Sequence, residues 1–382
     1  MKIISKGIFY SILFVPSLVW ATQGVHLVGY GAKAQAMGGA SVAYPQDAIT
    51  AANNPAGMSQ IDNQIDMDIQ LIYASADLEF GSSNNQIDGN IIVPIPEFGI
   101  NYRYSPDITI GLSTAARGVA FKYKKPVLPI SGLLRPAGSL TQVDLMPTIT
   151  YKPRSDLVFG LSAVFAYQQF EAQGIPGPFI NGQNPPHGKD DAWGVGLSTG
   201  LLWMPYDDIS FGLSYKPKMK MSKLDNYKND LFSISRGSID SPESFKMGIA
   251  KNLNEKLDLA FDIEHVKWGD VPAFRDVFNW RDQTIFKGGL KYQYSDDISL
   301  RTGFSFSRQH ITSNDIAQNF LLVGINSNAF SMGLSKRIND KSEFTIVSEY
   351  DFGSNIKGTN QSEGTYLDAE MYTLTFGYSY KY

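Results

Sequence analysis

Apolar and polar residues alternate along most of the chain, which is the pattern of β-strands. The alternation is plainest at the C-terminus, where one set of positions is aromatic or aliphatic and the other is small or polar. The apolar set is Tyr372, Leu374, Phe376, Tyr378, Tyr380 and Tyr382, and the other set is Thr373, Thr375, Gly377, Ser379 and Lys381. A period of two predicts that the first set faces lipid and the second faces a lumen. The same split predicts strands over 193–203 and 298–307.

Short acidic connections separate these alternating segments. They fall at residues 105–107, 154–156, 206–208, 254–256, 295–297 and 339–341. Successive connections are far enough apart for two strands and one long loop. Six short turns at one end predict fourteen strands, provided that the first strand begins and the last strand ends at that same end. An even strand number with short turns on one face is typical of bacterial outer-membrane barrels.

The composition agrees with such a barrel. Of 382 residues, 43% are hydrophobic and 13% aromatic, but only 18% are charged, which excludes a disordered chain. The mean hydropathy of −0.16 excludes a bundle of membrane helices. Residues that face lipid and lumen in turn would average to this neutral value. We therefore predict an all-β, 14-stranded antiparallel transmembrane barrel.

The first 21 residues have the features of a secretory signal peptide. Lys2 and Lys6 precede an apolar stretch over 7–18, and small residues at 19–21 predict a cleavage site. The alternative is an anchor helix, but the stretch is shorter than the ~20 residues that a membrane span needs. The chain contains no cysteine, so disulfides and thiol chemistry are excluded. The net charge of −4 gives no basic surface that would favour nucleic acid as a partner.

Residues 22–61 are rich in Gly and Ala and do not alternate. No strand precedes them and no phosphate-binding glycine motif is present, so a nucleotide site is not expected. A 14-stranded barrel is too wide to be filled by its own side chains. We therefore predict that 22–61 form a plug, or hatch, inside a barrel of residues 62–382. Gly-Leu-Ser repeats at Gly111, Gly160, Gly196, Gly212 and Gly333 indicate either room to bend the wall or close approach of an object inside it.

Several motifs, in order along the chain, resemble the FadL/OmpP1/TodX family of outer-membrane transporters of long-chain fatty acids and aromatic hydrocarbons. They are Gly31, Ala36-Met37-Gly38-Gly39-Ala40, Asp47-Ala48, Asn54-Pro55-Ala56-Gly57, Trp193-Gly194-Val195-Gly196, Gly212-Leu213-Ser214-Tyr215-Lys216, Pro242-Glu243-Ser244-Phe245 and Arg301-Thr302-Gly303. The resemblance implies a luminal hatch with Gly38, Gly39, Asn54, Pro55, Ala56 and Gly57 as its functional residues. It also implies that ligand leaves sideways into the membrane at a kinked third strand. The partners expected for a monomer of this kind are a hydrophobic small molecule, outer-membrane lipid and lipopolysaccharide, and the barrel-assembly machinery, for which Tyr382 is a suitable terminal aromatic.

The third strand carries a signal for that kink. Its alternation slips over 115–118, and a glycine at such a slip, Gly118, predicts a β-bulge. Pro94, Pro96 and Pro147 in the neighbouring strands cannot donate to a ladder, which fits a place where pairing is absent. Pro217, which we assign to the seventh strand, does not fit this argument. The alternative is that the prolines mark strand ends.

The expected ligand is a long-chain fatty acid, which needs an apolar pocket and a cation for its carboxylate. The alternation points Arg301, Lys287 and Lys291 into the lumen, together with Lys246 and Arg337. Alternatively, these cations pair with the inward acids Asp258, Asp262, Glu264, Glu343, Glu349 and Asp351 in a structural network. Residues 164–173 in the fifth strand contain no Lys or Arg, which keeps neutral hydrocarbons open as ligands.

No enzyme or cofactor is expected. His26, His187, His265 and His310 lack metal-ligand spacing and have no catalytic partners visible in the sequence, so solvated structural roles are expected for them. The sequence therefore predicts passive uptake of hydrophobic compounds through the outer membrane. The alternatives are a surface adhesin or receptor that the hatch merely seals, and a general porin.

Overall fold

A computed structural model describes residues 23–81, 85–129, 131–175, 188–325 and 328–382. The predicted signal peptide and His187 lie outside these residues. The strands form one closed antiparallel barrel of fourteen members, which confirms the predicted fold class. They are β1 Gln64–Glu79, β2 Gln86–Arg103, β3 Ile108–Lys122, β4 Ala137–Arg154, β5 Leu157–Gln173, β6 Asp190–Tyr206, β7 Ile209–Lys216, β8 Ser244–Asn254, β9 Leu257–Val266, β10 Gln283–Ser295, β11 Ile298–Ser307, β12 Asn328–Arg337, β13 Ser342–Lys357 and β14 Tyr366–Lys381.

Each of the six predicted short turns joins two consecutive strands at the same end of the barrel. The barrel closes because β1 pairs with β14 over its whole length, from Gln64–Lys381 to Glu79–Tyr366. The sequence had led us to expect Pro217 within the seventh strand, but it lies outside that strand. β7 ends at Lys216, directly before this proline, whose missing N–H could not have continued the ladder.

The predicted faces of the strands are confirmed in β14. Tyr372 and Tyr378 are 45% and 38% exposed on the outside, whereas Thr373 and Thr375 between them are buried. A barrel wall needs this alternation because one face contacts lipid and the other contacts the filled lumen.

Short helical segments occur in the hatch and in the long loops. In the hatch they are α1 Ala32–Ala36 and the 3-10 turns Thr50–Ala52 and Pro55–Gln60. In the loops they are the 3-10 turns Trp268–Asp270 and Asn360–Ser362, the π-helical turn Ala273–Val277 and α2 Ile316–Asn319. None of the helices in the described part of the chain has the length and apolar character required to cross a membrane.

Aromatic residues form a second core that the sequence did not reveal. Trp268, Phe274 and Trp280, in the loop between β9 and β10, are buried against one another, and the rings of Phe274 and Trp280 stack at 4.7 Å. The expectation that aromatic residues face lipid is therefore wrong for this group. His310 packs on Trp280 with ring centroids 4.2 Å apart and is fully buried, so its expected solvated role is also wrong. These loops cover the long-loop end of the lumen with apolar side chains.

Candidate functional site: the hatch, the lumen and the gap between β2 and β3

Residues 23–61 lie inside the barrel, where inward glycines allow the hatch to touch the wall. A Cβ atom on Gly160 would stand 2.2 Å from the Ala56 nitrogen, and one on Gly212 would stand 2.2 Å from the Val42 oxygen. Gly111 and Gly333 contact the hatch in the same way, at Met58 and Ala36. Gly196 instead meets Met219, in the segment after β7. Of the two interpretations of the Gly-Leu-Ser repeats, close approach of an object in the lumen is therefore correct at four of the five.

Carboxylates of the wall bind the backbone of the hatch. Asp262 in β9 accepts hydrogen bonds from the backbone nitrogens of Ser41 and Val42, at 2.6 and 2.9 Å. Three further carboxylates each accept one such bond: Asp66 from Ala48, Asp68 from Ala32 and Glu97 from Gly31. Hydrogen bonds to a charged acceptor are stronger than neutral ones. Four carboxylates on β1, β2 and β9 thus fix the hatch by main-chain atoms.

The expected hatch residues are buried where the hatch turns. Asn54 caps the Pro55–Gln60 turn by accepting from the Ala56 nitrogen at 3.1 Å, and its Nδ2 donates to the carbonyls of Val42 at 2.7 Å and Leu201 at 3.1 Å. Asn54 therefore joins two parts of the hatch to β6.

Three hatch glycines occupy positions that a side chain could not. Gly38 and Gly39 have φ of +65° and +85°, a region that favours glycine. A Cβ on Gly38 would lie 2.4 Å from the Phe304 nitrogen, and one on Gly57 would lie 2.9 Å from the Pro45 Cβ. Their absent side chains thus allow the hatch both to turn and to contact the wall.

The three candidate ligand cations have partners within the protein. Lys287 pairs with Glu264 at 2.8 Å, and Lys291 pairs with Asp258 at 3.3 Å. Arg301 donates to Gln46 Oε1 at 2.8 Å and to Ser335 Oγ at 2.7 Å. The two lysines thus belong to the structural network that the sequence offered as the alternative. Arg337 stands exposed at the end of β12.

The wall has a gap between β2 and β3. Their pairing runs only from Arg103–Thr109 to Gly99–Ser113, apart from one isolated bridge between Gly89 and Tyr123. β1 pairs with β2 from Gln64–Asn101 to Glu79–Gln86. β3 pairs with β4 from residue 108 to residue 122 without a register shift. The predicted bulge at Gly118 is therefore wrong, because the irregularity lies at the edge of β3 that faces β2.

Prolines explain how β2 tolerates an unpaired edge. The Phe98 N–H points toward β3 and donates to Thr114 Oγ1 at 2.8 Å. The backbone nitrogens of the residues two and four positions earlier point to the same side of β2, and these residues are Pro96 and Pro94. Proline has no N–H, so two donors that β3 would leave unsatisfied are absent. Both prolines lie inside β2, so the alternative that they mark strand ends is wrong.

A cavity of about 220 Å³ leads from the hatch to this gap. The start of the hatch, Gln23 to Val28, forms one side, and the unpaired part of β3, Ala116 to Phe121, forms another. The inward residues of β2 beside the gap are Ile91, Val93 and Ile95. The wall thus becomes apolar where it opens.

The inward face of β1 changes character at the same height. Toward the short-turn end it carries Gln64, Asp66, Asp68 and Gln70, and toward the long-loop end it carries Ile72, Ala74, Ala76 and Leu78. The polar half binds the hatch, and the apolar half lines the part of the lumen that lies toward the long loops.

Arg117 is the polar residue of this region that sequence reasoning missed as a candidate. It is buried, lines the cavity and pairs with Asp144 at 2.8 Å, which Lys216 also contacts at 2.6 Å. Its odd-numbered, inward position in β3 was the available signal. His26 lies in the hatch with Nδ1 3.3 Å from Glu264, and burial lowers its pKa from 6.5 to about 4 despite that carboxylate, so the ring is neutral at pH 7. Within the described ranges, no three acidic or His side chains are grouped as a metal site requires.

A closed barrel that surrounds a buried hatch defines an outer-membrane transport protein rather than an open pore. A family model described as "Outer membrane protein transport protein (OMPP1/FadL/TodX)" matches residues 21–381. The chain therefore belongs to the OMPP1/FadL/TodX family and resides in the bacterial outer membrane. The family assigned by resemblance from the sequence is confirmed.

Individual relatives are distant. The long-chain fatty acid transport protein of Escherichia coli is 21% identical over 255 residues, and the match spans 56% of each chain, just over half the length of that relative. The crystal structure of the Pseudomonas putida toluene transporter TodX matches with a TM-score of 0.73 at 17% identity, covering 94% of this chain and all of that one. A Pseudomonas aeruginosa FadL homologue matches with a TM-score of 0.69 at 14% identity, covering 94% of this chain and 99% of that one. These structures share the fold of this chain.

Proposed function

We propose that this protein passively transports small hydrophobic molecules, which leave the lumen sideways through the gap between β2 and β3. The observation that carries the proposal is the cavity that joins the hatch to the unpaired edge of β3. Unpaired backbone facing lipid is costly, so an opening at this depth is not expected in a barrel that serves only as a scaffold. The apolar residues Ile91, Val93 and Ile95 give a hydrophobic molecule a continuous surface toward the membrane.

The cavity favours a small neutral hydrocarbon over the long-chain fatty acid that the sequence placed first. A volume of about 220 Å³ is below the ~300–1,000 Å³ of sites for drug-sized ligands. Arg117, the one arginine among the described lining residues, shares the carboxylate of Asp144 with Lys216, and Glu349 and Asp351 add acidic groups to the lining. Among the described residues that line the cavity, a carboxylate would therefore find no cation without an acidic partner. Relatives named for both kinds of ligand, toluene and long-chain fatty acid, keep the fatty acid as the second candidate.

The lateral route is tested by filling the gap. Ala116 lines the cavity in the unpaired part of β3, so Ala116→Trp places a large side chain in the opening. Ala163→Trp is the matched control, because Ala163 is half-buried on the outward face of β5 and pairs with Leu197 of β6, away from the gap. Uptake of toluene into vesicles is expected to fall to the protein-free level for Ala116→Trp and to remain normal for Ala163→Trp. Normal uptake in both variants would contradict lateral exit.

The ligand class and the alternatives are tested by two further measurements. Vesicles that take up toluene but not hexadecanoate would support the neutral ligand, and the reverse would support the fatty acid. A large ion conductance in planar bilayers would instead indicate a general porin, which the hatch is expected to prevent. Failure to take up any hydrophobic probe would favour a receptor or adhesin.

A further inference from the structure

Two acidic side chains on β13 line the cavity, and the proposed route does not use them. Glu349 and Asp351 are two residues apart on the inward face and only 4% and 5% exposed. Glu349 Oε2 and Asp351 Oδ2 have no hydrogen-bond partner among the residues that the structure describes. We call this pair the acidic corner.

Neighbouring cations are already engaged. Lys287 lies 2.8 Å from Glu264, and Arg117 lies 2.8 Å from Asp144. No ion pair to Glu349 or Asp351 occurs within the described ranges. Gln35 lies beside Glu349, and Glu349 and Asp351 lie beside each other, but their oxygens Oε2 and Oδ2 accept no hydrogen bond from the described residues. A buried acceptor without a donor is costly, so a bound group that donates hydrogen bonds would stabilise the acidic corner.

A third unsatisfied acceptor comes from the hatch. Gln23, at the start of the described hatch, is 4% exposed and lines the same cavity. Its Nε2 donates to Ser305 Oγ at 2.8 Å, but its Oε1 has no partner in the described part of the chain. Side chains from two separate segments thus leave acceptor oxygens unused around one space.

The rest of the lining mixes polar residues such as Arg117 and Gln142 with a large apolar surface. Ile72 and Val93 come from the wall, Phe121 comes from the unpaired part of β3, and Val323 comes from the segment before β12. A ligand that complements this cavity has a hydrophobic body and a polar end that donates hydrogen bonds but accepts few.

We propose that the acidic corner and Gln23 bind the polar end of a hydrophobic ligand that donates hydrogen bonds, a protonated amine first and an alcohol second. An ammonium group supplies three donors and a positive charge to a buried acidic pair. A hydrocarbon leaves the three oxygens unsatisfied, and a carboxylate adds a further negative charge beside them. This inference rests on the proposed transport of small hydrophobic molecules and replaces the neutral hydrocarbon with a ligand of similar size that carries a hydrogen-bond-donating end.

The experiment compares four ligands of nearly the same size: benzylamine, benzyl alcohol, toluene and benzoate. Calorimetric titration of the protein in lipid nanodiscs, corrected with protein-free nanodiscs, is expected to rank them in that order. Benzylamine is expected to bind at least about tenfold more tightly than toluene, because hydrogen bonds to a charged group exceed neutral ones.

Variants then assign the preference to the acidic corner. The double variant Glu349→Gln with Asp351→Asn is expected to lose about tenfold in benzylamine affinity and to bind toluene as before. Glu255→Gln is the control, since Glu255 is an exposed acid in the turn between β8 and β9 and does not line the cavity. This control should leave both affinities unchanged.

The outcomes separate this inference from the proposed function. Equal binding of benzylamine and toluene by the unaltered protein would overturn the inference and leave hydrocarbon transport intact. Absence of toluene binding and uptake would overturn the proposed function itself. A benzylamine preference that survives in the double variant would show that the acidic corner is not its source. Should the double variant not fold, the ligand ranking of the unaltered protein and the single variant Asp351→Asn decide the question.

Discussion

The Gly118 nitrogen in β3 donates a hydrogen bond to the Val25 oxygen in the hatch, at 3.0 Å. This bond lies in the part of β3 that β2 leaves unpaired. The hatch therefore completes the free edge of β3 at one point. A displacement of the hatch at Val25 would remove this bond from the free edge of β3.

A side chain at position 118 is expected to disturb the gap. A Cβ on Gly118 would lie 2.4 Å from the Leu140 oxygen and 2.9 Å from the Thr141 Cα, so Gly118→Val must displace β3 or β4. We expect uptake of a hydrophobic probe to be lost while the barrel remains folded, as judged by heat-dependent migration on gels. Gly288→Val is the control, because Gly288 has only Phe261 within reach, at 3.9 Å. Normal uptake by Gly118→Val would show that the local geometry of β3 does not matter.

The same substitution should affect hatch docking at one of two adjacent glycines of β10 and not at the other. A Cβ on Gly289 would lie 2.4 Å from the Met37 oxygen in the hatch, whereas one on Gly288 would meet only Phe261, at 3.9 Å. Gly289→Ala is expected to weaken hatch docking by about 1–3 kcal/mol, as overpacking does. Gly288→Ala should have no effect on it. Hydrogen exchange of hatch amides measures both, and equal protection in the two variants would contradict a hatch packed against β10.

Asn54→Ala should loosen the hatch from β6. It removes the bonds to the carbonyls of Val42 and Leu201, each worth about 0.5–1.5 kcal/mol. We expect faster hydrogen exchange over 41–60 and brief conducting events in planar bilayers. Asn53→Ala is the comparison, because Asn53 bonds to the Tyr30 carbonyl within the hatch itself. Conducting events in Asn53→Ala but not in Asn54→Ala would show that the bonds of Asn54 do not hold the hatch in the lumen.

Asp262 offers a test of the charged attachment. Asp262→Ala leaves the nitrogens of Ser41 and Val42 without their acceptor and should cost about 1.5–3 kcal/mol of hatch docking per lost bond to charge. Asp262→Asn retains an acceptor oxygen without the charge, so an intermediate effect is expected. The midpoint of thermal unfolding and the hydrogen exchange of hatch amides rank the unaltered protein, Asp262→Asn and Asp262→Ala. Identical behaviour of the Ala and Asn variants would show that the acceptor atom is unimportant.

The strands and turns followed from the sequence because lipid and lumen impose opposite polarity on alternate residues. The gap followed only in part, since the prolines indicated a place without pairing but not that it separates β2 from β3. Ala116 and Gly118 point outward, yet Ala116 is buried at the gap, and this blurred alternation resembled a bulge. The prolines of β2 were the correct local signal.

The sequence predicted which charged side chains point into the lumen, but not which of them form pairs. Alternation placed Lys287 and Glu264 inward, but only the folded barrel brings them to 2.8 Å. The aromatic core around Trp280 lies in a loop without any period, so its burial could not be inferred from the sequence.

The attachment of the hatch through main-chain nitrogens has a consequence for mutational drift. The wall carboxylates Asp66, Asp68, Glu97 and Asp262 bind atoms that every residue except proline possesses. Side chains at the bound hatch positions need only be small enough to fit. Small substitutions at these bound positions can therefore accumulate without loosening the attachment, whereas a change in a wall carboxylate cannot be compensated by the hatch sequence.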